Sequence, residues 1–369
     1  YRYFLFLSLV GLMQLTLSCS SSSNEIEPLK PEGEDTPLEK DEYTFMNVEY
    51  RKWQNGTFQA WTTADSRETR TIDNMNWYTP SSDYSRTAWG GRIGLQPSSV
   101  VGKEGFFRVA NCGGRSYLLD PDNGAVIIHG IQHVRPGEST AHKKAFGTRY
   151  GSEARWSEET GKLLADNHIN YISYGSNRIE VFPAAVRGNL LTPKTQKIAY
   201  AENLYLLRTF MWDMSKNLGY AFDDDKYNRL VLLFEPTFAT YIDRLVQEKS
   251  ALFAGDRHFI GFYLDNELPF ASYQGTGYAN TEGGGWLVHT QKNRGEFYQN
   301  FCLRLLETRN CVGWVHFEYN DGYDSNGKAS NKGVVSIEYE PYESFLSQMR
   351  QLNLSVHSLI DYYDIKSVQ

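Results

Sequence analysis

The chain has four cysteines in 369 residues and no C-x-x-C pair among them, which argues against a disulfide scaffold, a zinc site or a dithiol redox centre. Cys112, Cys302 and Cys311 read instead as buried thiols. Basic clusters are scarce as well. The 37 Lys and Arg are outnumbered by 44 Asp and Glu, for a net charge of −7. No run of positive charge offers the surface on which phosphate binding depends, so no nucleic-acid partner is expected. No apolar run reaches the roughly 20 residues that a membrane-spanning helix needs. Internal repeats are missing, beyond an alternation of strand-like and helix-like segments. Neither a metal nor a cofactor is expected.

Aromatic residues, by contrast, are abundant: 25 Tyr, 20 Phe and 8 Trp make up 14% of the chain. Such rings fill cores, which accounts for most of them, but they also stack on the apolar C–H faces of sugars. The length suits one large domain with an appendage. Strand and helix patterns alternate, so the fold class is α/β, and a (β/α)8 TIM-barrel-type domain with a small β-rich N-terminal portion fits.

The segment from Tyr3 to Leu17 is apolar but too short to span a bilayer, and reads as the core of a signal peptide. Leu17, Ser18 and Cys19 follow it directly. This junction resembles the lipobox of bacterial lipoproteins, and the resemblance implies a signal peptide over 1–19 with Cys19 as the lipidated residue. The protein would then be secreted and lipid-anchored at the outer membrane or cell surface, touching the membrane through the anchor alone. An ordinary secretory signal with a chance cysteine is the other reading. Residues 20–42 are rich in Ser, Glu and Pro, the composition of a flexible tether. A β-rich portion is expected over 43–108 and the main domain over 109–369.

Within the main domain, Asp120-Pro121-Asp122-Asn123-Gly124 reads as a turn between two short strands, the second running from Ala125 to Val134. A helix is expected from about Ser157, then a strand over 169–175. A helix around Phe238 to Phe253 leads into the strand HFIGFYLDN. Phe297, Phe301 and Leu305 mark a further helix, which feeds the strand CVGWVHFEYNDG. A last helix begins near Pro341, with Phe345, Leu346, Met349 and Leu352 on its apolar face.

Chemistry concentrates in GFYLDNELPF, where Asp265, Asn266 and Glu267 end an apolar strand. In a parallel barrel the carboxyl ends of the strands form the mouth, so three polar side chains there meet water, not core. A carboxylic acid beside an amide suits glycoside hydrolysis, with Glu267 protonating the leaving oxygen and Asn266 binding a sugar hydroxyl. Capping of a neighbouring helix is the bland alternative.

Taken in order, YLLDPDNGAVIIHGIQHV, GFYLDNELPF and GWVHFEYNDGYDSNGKASNKGVVSIEYEPY resemble the agarase-type members of glycoside hydrolase clan A, family 50 above all. The resemblance implies a (β/α)8 barrel that cleaves a galactose-containing polysaccharide by a retaining mechanism. It further implies Glu267 as acid/base, Asn266 as its hydroxyl-binding neighbour and Trp314 as part of a sugar-binding floor. His129, His133 and Tyr174 follow as further substrate contacts. His129 and His133 would share one face of a continuous strand, as metal ligands can, but no third ligand accompanies them.

The spacing departs from that pattern. A barrel spends roughly 30 residues per strand–helix unit, and the stretch between Glu267 and Val312 is too short for three units. The domain is therefore read as an incomplete barrel, shortened near 273–281, in which the segment for strands five to seven is absent and the nucleophile with it. Glu282 lies in a Gly-rich stretch, and Glu318 is expected to turn away from Trp314's lining role. Neither matches the family's nucleophile, which stays unassigned. Two functions remain open: a glycoside hydrolase, or a carbohydrate-binding surface lipoprotein derived from one.

Overall fold

Strand alternation is plain at the start of the described residues. In β1 (Met46–Gln54), Val48 and Tyr50 are buried while Asn47 and Glu49 are exposed, as in a sheet with one covered face. The computed structural model describes residues 42–54, 57–81, 84–176, 197–218, 235–265, 286–323 and 329–366. β2 (Thr57–Phe58) and β3 (Asp65–Thr69) pair antiparallel with β1. A second sheet is an antiparallel meander of β4 (Ser99–Val101), β5 (Arg108–Cys112), β6 (Arg115–Leu119) and β7 (Ala125–Val126). The turn between β6 and β7 is held by Asp120, whose Oδ1 accepts from the backbone N–H groups of Asp122 and Gly124. Asn123 there has a φ of 68°.

The main sheet begins with β8 (Ile128–Ile131). The single strand expected from Ala125 to Val134 is thus divided, one part closing the meander and the other opening the new sheet. α1 (Thr140–Arg149) and α2 (Glu153–Asp166) lead to β9 (Tyr171–Ile172). The cap of α2 is Ser152, which accepts from the Arg155 N–H at 3.3 Å. Ser157, where the helix was expected to begin, is buried inside it instead. β10 (Ala199–Asn203), α3 (Leu206–Leu218), α4 (Phe238–Leu252) and β11 (Phe259–Tyr263) follow.

β12 (Trp286–Val288) returns to pair with β1, so a late segment completes the N-terminal sheet. α5 (Gln291–Glu307), β13 (Gly313–His316) and α6 (Glu343–Lys366) end the chain. The apolar face of α6 is as expected, with Phe345, Leu346, Met349 and Leu352 at most 1% exposed. The face of α5 is not. Phe301 is 64% exposed, and Gly295, Glu296, Gln299, Cys302, Leu303 and Leu306 are the buried residues. Spacing by fours fixes a stripe but not which side of the helix meets its neighbour.

The five main strands are parallel in the order β11, β10, β9, β8, β13. The last strand therefore lies beside the first. Among the described residues this sheet is open, with β11 and β13 at its edges, and no closed barrel is found. One face packs on Trp89 and Phe107 of the N-terminal portion and on Leu118 and Val126 of the meander. The other carries the helices, with Trp156 and Leu164 of α2 and Phe345 and Leu346 of α6 among its buried residues. Gly130 permits the close approach of β8 and β9, since a Cβ there would lie 2.4 Å from Tyr171 Cδ1. No described helix is long and apolar enough to cross a membrane.

Candidate functional site

Because the five strands are parallel, their carboxyl ends share one rim. β8 leads to His133, β9 to Ser173 and Tyr174, β10 to Tyr205, β11 to Asp265 and β13 to Phe317 and Glu318. Backbone bonds tie two of these ends directly: Gln132 N–H donates to the His316 carbonyl at 3.0 Å and Tyr319 N–H to the Gln132 carbonyl at 3.0 Å.

His133 is the residue on which three strand ends converge. Its Nδ1 lies 3.0 Å from Glu318 Oε2, with the two side chains 25% and 18% exposed. Its backbone φ is +55°, in the left-handed region, and Gly175, itself at φ +72°, lies against the ring. A Cβ on Gly175 would fall 2.5 Å from His133 Cδ2. Phe317 stands edge-on at 5.1 Å between ring centroids and is 43% exposed.

Beside this group Tyr174 packs edge-on against Tyr263 at 4.7 Å. The Tyr263 hydroxyl accepts from Tyr171 Oη at 3.2 Å and from Ser173 Oγ at 3.3 Å. Burial, the largest influence, pushes the Tyr171 hydroxyl well above its ordinary range, so it is a neutral donor.

Asp265 Oδ2 accepts the Leu207 N–H at 2.8 Å, which satisfies one of the free donors at the start of α3. The first acid of the Asp-Asn-Glu triplet thus holds a helix, and that helix precedes it in sequence. Asn266 and Glu267 lie outside the described residues, as do Glu282 and Cys19.

Trp314 sits in core packing. It is 7% exposed, its Nε1–H donates to Tyr298 Oη on α5 at 2.6 Å, and it clusters with Cys302, Leu303, Leu306 and Leu352 from α5 and α6. His129 is its register partner on β8, with ring centroids 5.3 Å apart. Burial holds the His129 imidazole down at about 3, against a hydrogen bond to the His168 carbonyl that works the other way. His129 and His133 do not share a face. The strand ends at Ile131 and the left-handed backbone at His133 turns its ring to the rim. Among the described residues no group of three or more His, Cys, Asp or Glu is placed to hold a metal ion.

The structure thus brings His133, Tyr174 and Glu318 to one rim and keeps His129 and Trp314 among the helices. Alternation does not account for Glu318: four positions after Trp314, it would share that residue's face in a continuous strand. It reaches the rim because β13 ends at His316 and the chain beyond is no longer bound by that period.

The end of β13 is locked from behind. Asp321 accepts from Gly333 N–H at 2.8 Å and from Tyr342 Oη at 2.5 Å, and its carbonyl lies 2.7 Å from His142 Nε2. Burial raises its carboxyl above the ordinary value despite these bonds.

No family model matches the chain, and no curated protein does. Among solved structures, it is similar to the crystal structure of BpGH50, at 18% identity over 87% of this chain and 96% of that one, with a TM-score of 0.69. The crystal structure of an agarase, AgWH50C, is more distant, at 13% identity over 76% of this chain and 67% of that one, with a TM-score of 0.45. An exo-beta-agarase structure stands at 11% identity, 76% and 68% coverage, and a TM-score of 0.47. The chain has a mixed α/β fold like that of BpGH50.

Proposed function

We propose that this chain is a glycoside hydrolase of the agarase kind, cleaving a galactose-containing polysaccharide at the rim that carries His133, Tyr174 and Glu318. The observation that carries the reading is the strand order. β13 lies beside β8, and β11 is the third strand beyond it, the neighbour relations of the last, first and fourth strands of a (β/α)8 barrel. The fold shared with BpGH50 supports it.

In this reading Glu267, two positions after Asp265 in sequence, protonates the leaving oxygen, and Asn266 binds a hydroxyl beside the reacting carbon. A retaining course needs a second carboxylate about 5–5.5 Å from the first. That residue is unassigned. Tyr174 and His133 contact the sugar. His129 and Trp314 stand behind the strands and fix the helices against them. Cys19 carries a lipid that holds the protein at the cell envelope, and loss of membrane association in Cys19→Ser tests that part separately.

The reading is tested by reducing-end release from agarose or porphyran oligosaccharides. Release by the natural chain that is lost in Glu267→Gln supports it. Among the described residues the sheet edges at β11 and β13 are open, which favours a second reading, a carbohydrate-binding protein that no longer cleaves. Binding with no release by either protein supports that alternative.

A further inference from the structure

We propose that His133 and Glu318 form a hydroxyl-recognition dyad: the carboxylate fixes the imidazole as its Nδ1–H tautomer, leaving the Nε2 lone pair to accept a hydrogen bond from a sugar hydroxyl. The class of ligand rests on the glycoside hydrolase reading. The geometry of the pair does not.

Three observations carry the dyad. First, the carboxylate oxygen lies 3.0 Å from Nδ1, and a carboxylate can only accept, so the proton resides on Nδ1. Second, no described residue bonds to Nε2 and the atom is not among the buried ones. His129 differs on that point, since its Nε2 is buried. Third, the ring is held by more than its own strand. Gly175 leaves room for it, Phe317 packs against it, and the His133 backbone takes a left-handed φ of +55° to present it, an uncommon conformation for a residue with a side chain.

A purely structural tie between strand ends would be redundant. β8 and β13 are already joined through Gln132, His316 and Tyr319 by two backbone hydrogen bonds of 3.0 Å. Glu318 is itself fixed, its N–H donating to the Lys332 carbonyl at 3.2 Å and its carbonyl accepting from Val334 N–H at 3.2 Å. In these terms Glu318 is a positioning residue and His133 the group that meets the ligand.

The test combines imidazole nitrogen NMR on the whole chain, assigned with His133→Gln, and calorimetric binding of an agarose-derived hexasaccharide. The natural chain shows the Nδ1–H tautomer at His133. Glu318→Ala moves it to the Nε2–H form and weakens hexasaccharide binding roughly 10-fold, the scale of one good hydrogen bond. Glu318→Gln, which keeps an acceptor for Nδ1–H, restores both. An Nε2–H tautomer or an imidazolium in the natural chain overturns the proposal, and so does unchanged affinity in Glu318→Ala. If the natural chain does not bind the hexasaccharide, the agarase reading fails and the tautomer alone decides the dyad. Should Glu318→Ala not fold, the natural chain's tautomer and the Glu318→Gln binding decide it in the same sense.

Discussion

His129 and Trp314 are register partners on adjacent parallel strands, their rings 5.3 Å apart on the face of the sheet that meets the helices. Trp314→Phe is expected to cost about 2 kcal/mol, from lost contacts and from a Tyr298 hydroxyl left without its donor. Urea unfolding checks the figure. Lower oligosaccharide affinity at unchanged stability would instead mark Trp314 as a sugar contact.

Acid should destabilise the fold through buried histidines. Burial holds His129 and His316 at about 3 and His357 at about 4, below the ordinary value of 6.5. Below 6.5 the unfolded chain takes up protons that the folded chain refuses. The stability these residues confer is therefore complete above that pH and drains away as pH falls toward 3. Each contributes up to about 1.4 kcal/mol per pH unit inside that window. Urea midpoints at a series of pH values measure the slope, and a flat profile between pH 6 and pH 4 would contradict this burial.

Arg115 is fully buried, with Nη2 2.7 Å from Asp364 Oδ1 and Nη1 2.7 Å from the Leu306 carbonyl. It joins the N-terminal meander to α6. Asp364→Ala strands that cation, and a loss of about 3 kcal/mol is expected. A cost under about 1 kcal/mol would place the pair with weak surface bridges.

Gly130→Ala forces a methyl to within 2.4 Å of Tyr171 Cδ1 on the neighbouring strand. A loss of about 1–3 kcal/mol is expected from overpacking, read as a lower unfolding midpoint. No loss would mean that β8 and β9 can separate freely.

Much of this architecture was legible in the sequence where a pattern extends over several residues. α6 shows its apolar face through Phe345, Leu346, Met349 and Leu352, and β11 and β13 stand out as apolar runs between helical segments. β10 and α3 did not. Ala199–Asn203 is a short strand that mixes small and polar residues, and nothing in its text marks a buried position. Site residues were harder for a geometric reason. Alternation would set Trp314 and Glu318, four positions apart, on one face, and it shows neither that β13 ends at His316 nor which face meets the helices, because those depend on what packs on each side of the sheet. The turn at His133 escaped notice because a histidine at positive φ leaves no trace in periodicity.

Asp265 ties the end of β11 to the first turn of α3 through the Leu207 N–H. Asp265→Ala is expected to cost about 1 kcal/mol, the usual worth of a side chain that satisfies a helix N-terminus. It should also lower the rate of hydrolysis by misplacing the two residues that follow. Full activity at reduced stability would show that Asp265 anchors the helix alone.

In the proposed mechanism Glu267 donates a proton to the leaving oxygen. The most direct test of that role is the rate of Glu267→Gln relative to the natural chain on two substrates, an agarose oligosaccharide and a nitrophenyl galactoside whose leaving group departs without protonation. A fall of roughly 10²–10⁴ is expected on the oligosaccharide, the usual contribution of a general acid, and a much smaller fall in the bond-breaking step on the aryl substrate. Equal rates for the two proteins on the oligosaccharide would contradict it.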